Sequence, residues 1–284
     1  MSRFFDPAAL GRPAVGIACG PHAVSFVRRK PGIVDYVEIP FEQLRHDATA
    51  ACLQDHVPLL LHCASLSVCG FVPPDAPTLD AIAEWTQRTR SPWIGEHLAF
   101  VRAEHIEPGD SSEPNILTFT VCPQFSERVL ERTVDNLNAL RQRLGVPIVL
   151  ENPPQYFVVP GSTMGQVDFI RALAERSDIG LICDLTHFLI TATNMGLDAQ
   201  TELERLPLEL TVEVHLSGIK RRNGLAWDDH TSGTPREAFE LLRQVRRRVA
   251  PRAVTLEYNS APDFDDDVLV RHVGQVREIL DCAP

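Results

Sequence analysis

The stretch Ile179-Gly-Leu-Ile-Cys-Asp-Leu-Thr-His187 decides the fold prediction. Its apolar run ends at Asp184, and His187 follows three residues later. A short apolar run of this kind indicates a buried strand, and a group three residues into a following helix lies about one turn further along. The stretch therefore predicts a strand whose carboxyl end aims a carboxylate and an imidazole at one point.

Seven further apolar runs flank this one and alternate with amphipathic stretches. The eight predicted strands cover residues 14–19, 33–39, 57–62, 92–97, 146–151, 179–184, 210–216 and 253–257. Near-continuous apolar strands that alternate with helices are typical of a parallel sheet buried on both faces. The pattern predicts an α/β fold, a (β/α)8 barrel forming one domain over residues 1–284. A doubly wound open sheet is the alternative, but no glycine-rich phosphate fingerprint follows the first strand.

Two longer segments between the strands differ in character. Residues 123–144 predict the longest helix, because apolar residues recur at helical spacing and Gly145 follows the last of them. Residues 103–121 are polar and then apolar, and we interpret them as a loop over the site. Such a loop would either contact a partner or close over a substrate.

The composition limits the possible classes of function. The chain has 284 residues and a formal net charge of −11, which argues against a nucleic-acid partner. No apolar run approaches the roughly 20 residues of a membrane helix, and residues 1–7 show no signal-peptide pattern. We therefore expect no membrane contact. The seven cysteines are odd in number and scattered, which predicts buried thiols in a reducing cytoplasm.

The ends of the predicted strands carry the chemistry. In a parallel barrel all carboxyl ends open on the same face, and six of the eight strands end on a group able to bind a metal. Further candidates beside them are His187 and the segment 227–230, which lies in a loop predicted over residues 217–233. Together they give nine plausible ligands, namely His62, His97, Glu151, Asp184, His187, His215, Asp228, His230 and Glu257.

This ligand set suits more than one ion. Nitrogen and oxygen donors without thiolate are typical of zinc, iron or manganese, and a carboxylate such as Glu151 can bridge two ions. Taken singly, each residue has a simpler interpretation, since Asp184 could cap a helix and Glu257 could pair with an arginine. Taken together, so many buried polar groups on one face would be costly without a partner. We therefore expect two or three metal ions.

Three other residues are weaker candidates. Asn152 and Asn259 lie one or two residues beyond a predicted ligand glutamate, where either could orient a ligand or bond the substrate. Lys220 begins a short basic run after the seventh strand. Such a run is usually solvated, but at a barrel mouth it could meet a substrate carboxylate.

The motifs that contain these residues resemble a known family. The relevant stretches are Gly95-Glu-His-Leu-Ala-Phe100, Leu150-Glu-Asn-Pro153, Cys183-Asp-Leu-Thr-His187, Asn194-Met-Gly196, Val214-His-Leu-Ser-Gly218, Asp228-Asp-His230 and Leu256-Glu257. Their order and spacing are similar to those of the multinuclear non-heme iron-dependent oxidative enzymes, the MbnB/TglH-like (DUF692) family. The resemblance runs from about Gly16 to Glu257.

This resemblance implies a function as well as a fold. Members have a triose-phosphate-isomerase-type barrel of the xylose isomerase-like superfamily, hold two or three iron ions, and use dioxygen to modify a ribosomally synthesised precursor peptide, often at cysteine. Many work with a small partner protein that binds the leader peptide. The nine candidates would be the iron ligands, and we assign the catalytic role to Glu151, Asp184 and His187. One position departs from the pattern, since many members carry Asn where this chain has His187.

Two alternatives stay open at this point. The same barrel superfamily includes xylose isomerases and endonuclease IV, and the latter uses similar Asp-x-x-His and Asp-x-His motifs in a zinc site. A zinc- or manganese-dependent phosphodiesterase or sugar isomerase is therefore the main competitor. A metal-free binding barrel is the other, but it leaves the ligand set unexplained.

Overall fold

A closed parallel barrel forms the centre of the molecule. The structure is a computed structural model that describes residues 3–103, 115–258 and 264–282. The eight barrel strands are β1 (Ala14–Ala18), β2 (Tyr36–Pro40), β3 (Leu59–Cys63), β4 (Ile94–His97), β7 (Ile148–Glu151), β8 (Gly180–Asp184), β9 (Thr211–Leu216) and β12 (Ala253–Leu256). Their order around the barrel is β1-β12-β9-β8-β7-β4-β3-β2, which confirms the predicted fold.

Helices surround the barrel. They are α1 (Ala23–Arg29), α2 (Phe41–His46), α3 (Ala76–Thr89), α4 (Glu127–Leu144), α5 (Gln166–Arg176), α6 (Leu185–Met195), α7 (Ala199–Arg205), α8 (Arg236–Arg246) and α9 (Asp266–Asp281). Their ends follow local chemistry. The Asp75 carboxylate accepts a hydrogen bond from the Thr78 amide at the start of α3, and Gly145 ends α4 in the left-handed region at φ 69°. None of the described helices is long and apolar enough to cross a membrane.

Two antiparallel hairpins stand outside the barrel and correct two predicted loops. Strand β6 (Asn115–Val121) lies within the predicted loop 103–121 and pairs with β5 (Phe100–Ala103), which leads into it. Residues 104–114 of the predicted loop lie outside the described part of the chain. Strands β10 (Gly218–Arg222) and β11 (Leu225–Asp229) pair where residues 217–233 are predicted to be irregular. Short strands at a barrel rim escaped detection because they bury no continuous apolar run.

The inside of the barrel is filled in layers. Alternate residues of a strand face the same side, and the amino-terminal layer is apolar, with Tyr36, Leu60, Trp93, Val149 and Ile182 packed against Phe5. Two residues further along, four of these five chain segments carry a polar side chain, namely Glu38, His62, Glu151 and Asp184, and the fifth has Gly95. The apolar layer therefore closes one end of the barrel, and the polar layer above it opens toward the carboxyl-terminal face.

Candidate metal centre

The nine predicted ligands come from neighbouring elements at the carboxyl-terminal face. Strands β3, β4, β7, β8, β9 and β12 are consecutive around the barrel, and each carries one ligand at or next to its end. Helix α6 carries His187 in its first turn, and β11 carries Asp228, with His230 just beyond the strand. The structure brings all nine side chains into one network of contacts at the barrel mouth.

Glu151 lies at the centre of this network. Its carboxylate oxygens are 2.9 Å from His62 Nε2, 3.5 Å from His97 Nε2, 3.1 Å from His187 Nδ1 and 3.7 Å from His215 Nδ1. One carboxylate therefore faces four imidazoles, the position expected of a bridging ligand.

A second carboxylate joins the rim of the centre to its interior. Asp228 Oδ2 is 2.8 Å from His230 Nε2 and 3.4 Å from His187 Nε2. Glu257 also links the two parts of the network, since its oxygens are 3.7 Å from His215 Nδ1 and 3.9 Å from His230 Nε2. His187 faces both halves, because its Nδ1 lies toward Glu151 and its Nε2 toward Asp228.

Four groups of side chains within the described residues are close enough to hold an ion. In each, the donor atoms lie within 4.8 Å of one another. Three groups consist of two histidines and one carboxylate, and the fourth contains three carboxylates and one histidine. The groups are His62, His97 and Glu151; His187, Asp228 and His230; Glu151, Asp184, His215 and Glu257; and Glu38, His62 and His215.

Several buried atoms that could bind a cation have no hydrogen bond to one another. Asp184 Oδ2, His215 Nδ1 and Glu257 Oε2 are buried and have no hydrogen-bond partner among the described residues. Leaving such atoms without partners is costly in a protein interior. Asp184 also caps α6, because its other oxygen accepts a hydrogen bond from the His187 amide at 2.7 Å. The helix-cap interpretation therefore accounts for only one of the two oxygens of Asp184. Together, the donor atoms of the centre fit a set of metal ions.

The pKa values reflect this crowding. Burial alone would lower the pKa of His62, but the negative charges of Glu38 and Glu151 raise it to about 10. Burial lowers the pKa of His97 to about 4, although Glu151 acts in the opposite direction, and it raises the pKa of Asp184 to about 7. The metal-free centre therefore holds protons at sites where cations would bind.

The three weaker candidates have different surroundings. The Asn152 side-chain amide donates to the Asp184 carbonyl and accepts from the Asp184 amide, both at 2.9 Å, while its own carbonyl lies 3.1 Å from His187 Nδ1. Asn152 thus fixes two predicted ligands through the backbone. Lys220 is exposed on the hairpin, where its backbone lies opposite that of Trp227 in the neighbouring strand. Asn259 lies outside the described residues.

Two buried carboxylates of the centre escaped the sequence analysis. Glu38 and Glu213 lie inside β2 and β9 and both approach His215 Nε2, at 3.2 and 3.5 Å. The predicted ligands lie at or just beyond strand ends, whereas these two glutamates lie within strands. The period of two would have revealed these residues, since Glu213 faces the same side as His215, two positions later.

An apolar rim surrounds the mouth. A cavity of about 610 Å³ has several of the predicted ligands at its base and Phe119, Tyr156, Phe157 and Trp227 among its lining residues. The rings of Tyr156 and Trp227 stack with their centroids 4.5 Å apart, and Phe119 and Phe157 are exposed. The cavity can therefore take a ligand with apolar groups above the polar centre.

Comparison with known proteins supports the predicted family. A family model described as RiPP precursor modification enzyme MbnB/TglH/ChrH matches residues 14–281. A UPF0276 protein of Streptomyces avermitilis is 29% identical over 280 residues, which cover 96% of this chain and 56% of the relative. A UPF0276 protein of Chromobacterium violaceum is 25% identical over 243 residues, 84% of each chain. The chain thus spans little more than half the length of the Streptomyces relative.

Solved structures share the fold at low sequence identity. D-allulose 3-epimerase from Methylomonas sp. matches with a TM-score of 0.60 and 13% identity, covering 95% of this chain and 98% of that one. A xylose isomerase-like TIM barrel protein from Mycobacterium smegmatis, in complex with magnesium, matches with a TM-score of 0.55 and 10% identity, covering 95% and 96%. At these identities the likeness establishes the barrel alone.

Proposed function

The chain belongs to the family of RiPP precursor modification enzymes MbnB/TglH/ChrH, and from this premise we propose that it is an iron-dependent oxidase or oxygenase that modifies a precursor peptide. Dioxygen would be the cosubstrate, and a cysteine of the peptide is the residue we expect to be modified. The observation that carries the proposal is a pair of two-histidine, one-carboxylate groups at the barrel mouth, namely His62, His97 and Glu151, and His187, Asp228 and His230. That donor set is typical of non-heme iron sites that react with dioxygen.

The ligands divide into three groups. His62, His97 and Glu151 would hold one iron, and His187, Asp228 and His230 another. Asp184, His215 and Glu257 would hold a third in the interior, with Glu151 shared between neighbours, so that the centre takes two or three irons. When bound, reduced iron supplies a binding position for dioxygen and one-electron chemistry.

The chain's own residues prepare the site for this chemistry. Glu151, Asp184 and His187 are the residues to which we assign catalysis, because His187 Nδ1 lies 3.1 Å from Glu151 and 3.4 Å from Asp184 at the junction of the groups. The apolar barrel interior excludes water from one side of the centre. The partly exposed ligands His97 and His230 leave the other side accessible from the mouth.

The mouth suits a peptide. Exposed Phe119 and Phe157 and the stacked pair of Tyr156 and Trp227 offer apolar surface to a chain that passes over the ligands. A precursor with a cysteine could place its thiolate beside the centre. We extend the proposal to a small partner protein that binds the leader peptide and to a reducing cytoplasm, since all seven cysteines are free thiols.

One observation favours the alternative of a zinc- or manganese-dependent enzyme. The group Glu151, Asp184, His215 and Glu257 has three carboxylates for one histidine, a donor set that also suits manganese. A sugar isomerase that used this group alone would leave the group of His187, Asp228 and His230 without a role. A phosphodiesterase that used the Asp-x-x-His and Asp-x-His motifs would need both groups.

Metal analysis of protein purified without oxygen separates the two proposals. We expect two or more irons per chain, dioxygen uptake, and a mass change in a precursor peptide encoded beside the gene when the two are produced together. Stoichiometric zinc or manganese without dioxygen uptake would replace iron chemistry with the alternative.

A pair of adjacent aspartates supplies the control for this test. Asp228→Asn should lose one iron and most of the peptide modification. Asp229→Asn should retain both, because Asp229 accepts hydrogen bonds from Thr231 and Ser232 within its own turn. Equal metal content in the two variants would contradict the proposed ligand set.

A further inference from the structure

Two buried carboxylates lie behind His215, on the side of its ring away from Glu151 and Glu257. His215 Nε2 is 3.2 Å from Glu38 Oε2 and 3.5 Å from Glu213 Oε1. Glu38, Glu213 and His215 are all almost completely buried. Two carboxylates on one ring nitrogen require that nitrogen to carry a proton, because a bare lone pair would be repelled by both.

The other ring nitrogen of His215 faces the centre. His215 Nδ1 lies 3.7 Å from Glu151 Oε1 and 3.7 Å from Glu257 Oε1, and it has no hydrogen-bond partner in the part of the chain that the structure describes. A neutral imidazole with its proton on Nε2 presents a lone pair at Nδ1. The shorter contacts at Nε2 select the tautomer with its proton on Nε2. A cation bound between Glu151 and Glu257 would then meet the lone pair of Nδ1.

Glu213 is itself fixed from three directions. Its Oε1 accepts hydrogen bonds from the Tyr36 hydroxyl at 3.1 Å and the Thr255 hydroxyl at 2.8 Å. Its Oε2 accepts from the Trp93 indole N–H at 2.9 Å. Tyr36 and Trp93 belong to the apolar layer that closes the barrel. The acceptor behind His215 is therefore held by the rigid end of the fold.

We propose that Glu38 and Glu213 are positioning residues that hold His215 in the Nε2–H tautomer and aim Nδ1 at the ion shared by Asp184, Glu151 and Glu257. The inference rests on the metal centre of the proposed function. A carboxylate behind a histidine ligand is a common way to fix its tautomer and raise its basicity, and removal of such a carboxylate typically weakens metal binding 10- to 100-fold.

Glu38 also belongs to a group with His62 and His215 that could hold an ion of its own. The hydrogen bonds disfavour that use. His62 Nε2 contacts Glu151 at 2.9 Å, and His215 Nε2 could bind an ion beside Glu38 only by moving its proton to Nδ1. That proton would then point into the group of Asp184, Glu151 and Glu257, which would lose its only nitrogen donor.

The test titrates metal-free protein with Co²⁺, whose visible absorption reports each occupied site. We expect Glu38→Gln and Glu213→Gln to weaken the affinity of one site 10- to 100-fold while the number of sites stays that of the wild type. The near-ultraviolet circular dichroism of the metal-free variants should match the wild type. Affinities within twofold of the wild type, or the loss of a whole site from Glu38→Gln alone, would overturn the proposal.

Two further measurements keep the result clear. If Glu38→Gln does not fold, Glu38→Asp replaces it, because Asp keeps the charge but moves the carboxylate away from His215. We expect the same loss of Co²⁺ affinity from that variant. Asp35→Asn is the control for a loss of stability alone, since Asp35 bonds Arg12 and the Val15 amide at the far end of the barrel; its Co²⁺ affinity should be unchanged.

Nitrogen-15 spectra of histidine in the Zn²⁺-loaded wild type should show His215 with a proton on Nε2, which a purely structural role for the carboxylates does not require. Wild-type protein that binds no Co²⁺ would instead refute the metal centre itself.

Discussion

At the scale of single residues, Gly95 shows how closely the centre is packed. A Cβ atom at this position would lie 2.6 Å from His62 Cδ2 and 2.9 Å from Ile182 Cδ1. Both distances are shorter than van der Waals contact, so any side chain here displaces the His62 ring. The glycine therefore gives a predicted ligand the space for its present orientation.

Gly95→Ala should weaken metal binding by the group of His62, His97 and Glu151. Overpacking of this kind also costs about 1–3 kcal/mol of folding free energy. Metal content and denaturant unfolding measure the two effects. Gly274→Ala in α9 is the control, since no atom lies within 4 Å of its added Cβ, and it should leave metal binding unchanged. Full metal content in Gly95→Ala would show that His62 tolerates displacement.

Protons and cations compete for the same side chains. Because the pKa of His62 is raised to about 10 and that of Asp184 to about 7, both groups are largely protonated at pH 6. A cation must displace these protons, so the Co²⁺ affinity should rise as the pH is increased from 6 to 8, by about tenfold per pH unit for each proton released. An affinity independent of pH over this range would contradict the ligand roles of both residues.

At the scale of elements, helix α6 determines where the rim ligands lie. Its Asn194 side chain donates to the carbonyls of Gln155 and Ala226, both at 3.0 Å, and accepts from the Ala226 amide at 2.8 Å. These bonds fasten β11, which carries Asp228, to the helix that carries His187. The attachment therefore positions Asp228 relative to His187.

Asn194→Ala should therefore reduce metal binding by His187, Asp228 and His230 and leave the interior group occupied. The substitution would leave the backbone groups of Gln155 and Ala226 without these hydrogen bonds, which should also lower the unfolding free energy by about 1–3 kcal/mol. Thr193→Ala, an exposed neighbour on the same helix, is the matched control. Site-resolved Co²⁺ absorption checks the result, and equal loss of all sites would contradict a local role.

The sequence predicted what depends on apolar runs and missed what does not. All eight barrel strands contain such runs, and their ends led to six of the nine side chains that the structure brings together. The other three, His187, Asp228 and His230, lie in the segments that follow two of these strands. The hairpin of β10 and β11 escaped detection because a short strand pair at the rim buries little surface. Glu38 and Glu213 were missed because a buried carboxylate needs hydrogen-bond partners, and the sequence does not show which residues supply them. Trp93 and Thr255, which supply them for Glu213, are 120 and 42 residues away along the chain.

At the scale of the whole molecule, one carboxylate ties the start of the chain to its end. Asp35 accepts hydrogen bonds from Arg12 and from the Val15 amide, all at 2.8 Å, and lies 3.4 Å from Arg277 of α9. Burial alone would raise the pKa of Asp35, but these donors hold it below its ordinary value. The contact thus supports closure of the barrel where β1 meets β2.

Asp35→Asn should lower the unfolding free energy at pH 7 by about 1.5–3 kcal/mol, the usual contribution of hydrogen bonds to a charged group. Because the pKa of the folded state is depressed, this contribution is complete above the pKa of the unfolded state and is lost as the pH falls through the folded value. The deficit of the variant should therefore shrink from pH 7 toward pH 2. Urea unfolding at several pH values measures it, and a constant deficit would contradict the ionic origin.

The central claim is that nine side chains, distant along the chain, converge at one barrel mouth to bind several irons. Anomalous diffraction at the iron absorption edge, from crystals of anaerobically reconstituted protein, tests it most directly. The account predicts two or three peaks, each within bonding distance of one of the three ligand groups, and one peak fewer for Asp228→Asn. A mouth without anomalous signal, or a single ion bound elsewhere on the molecule, would contradict it.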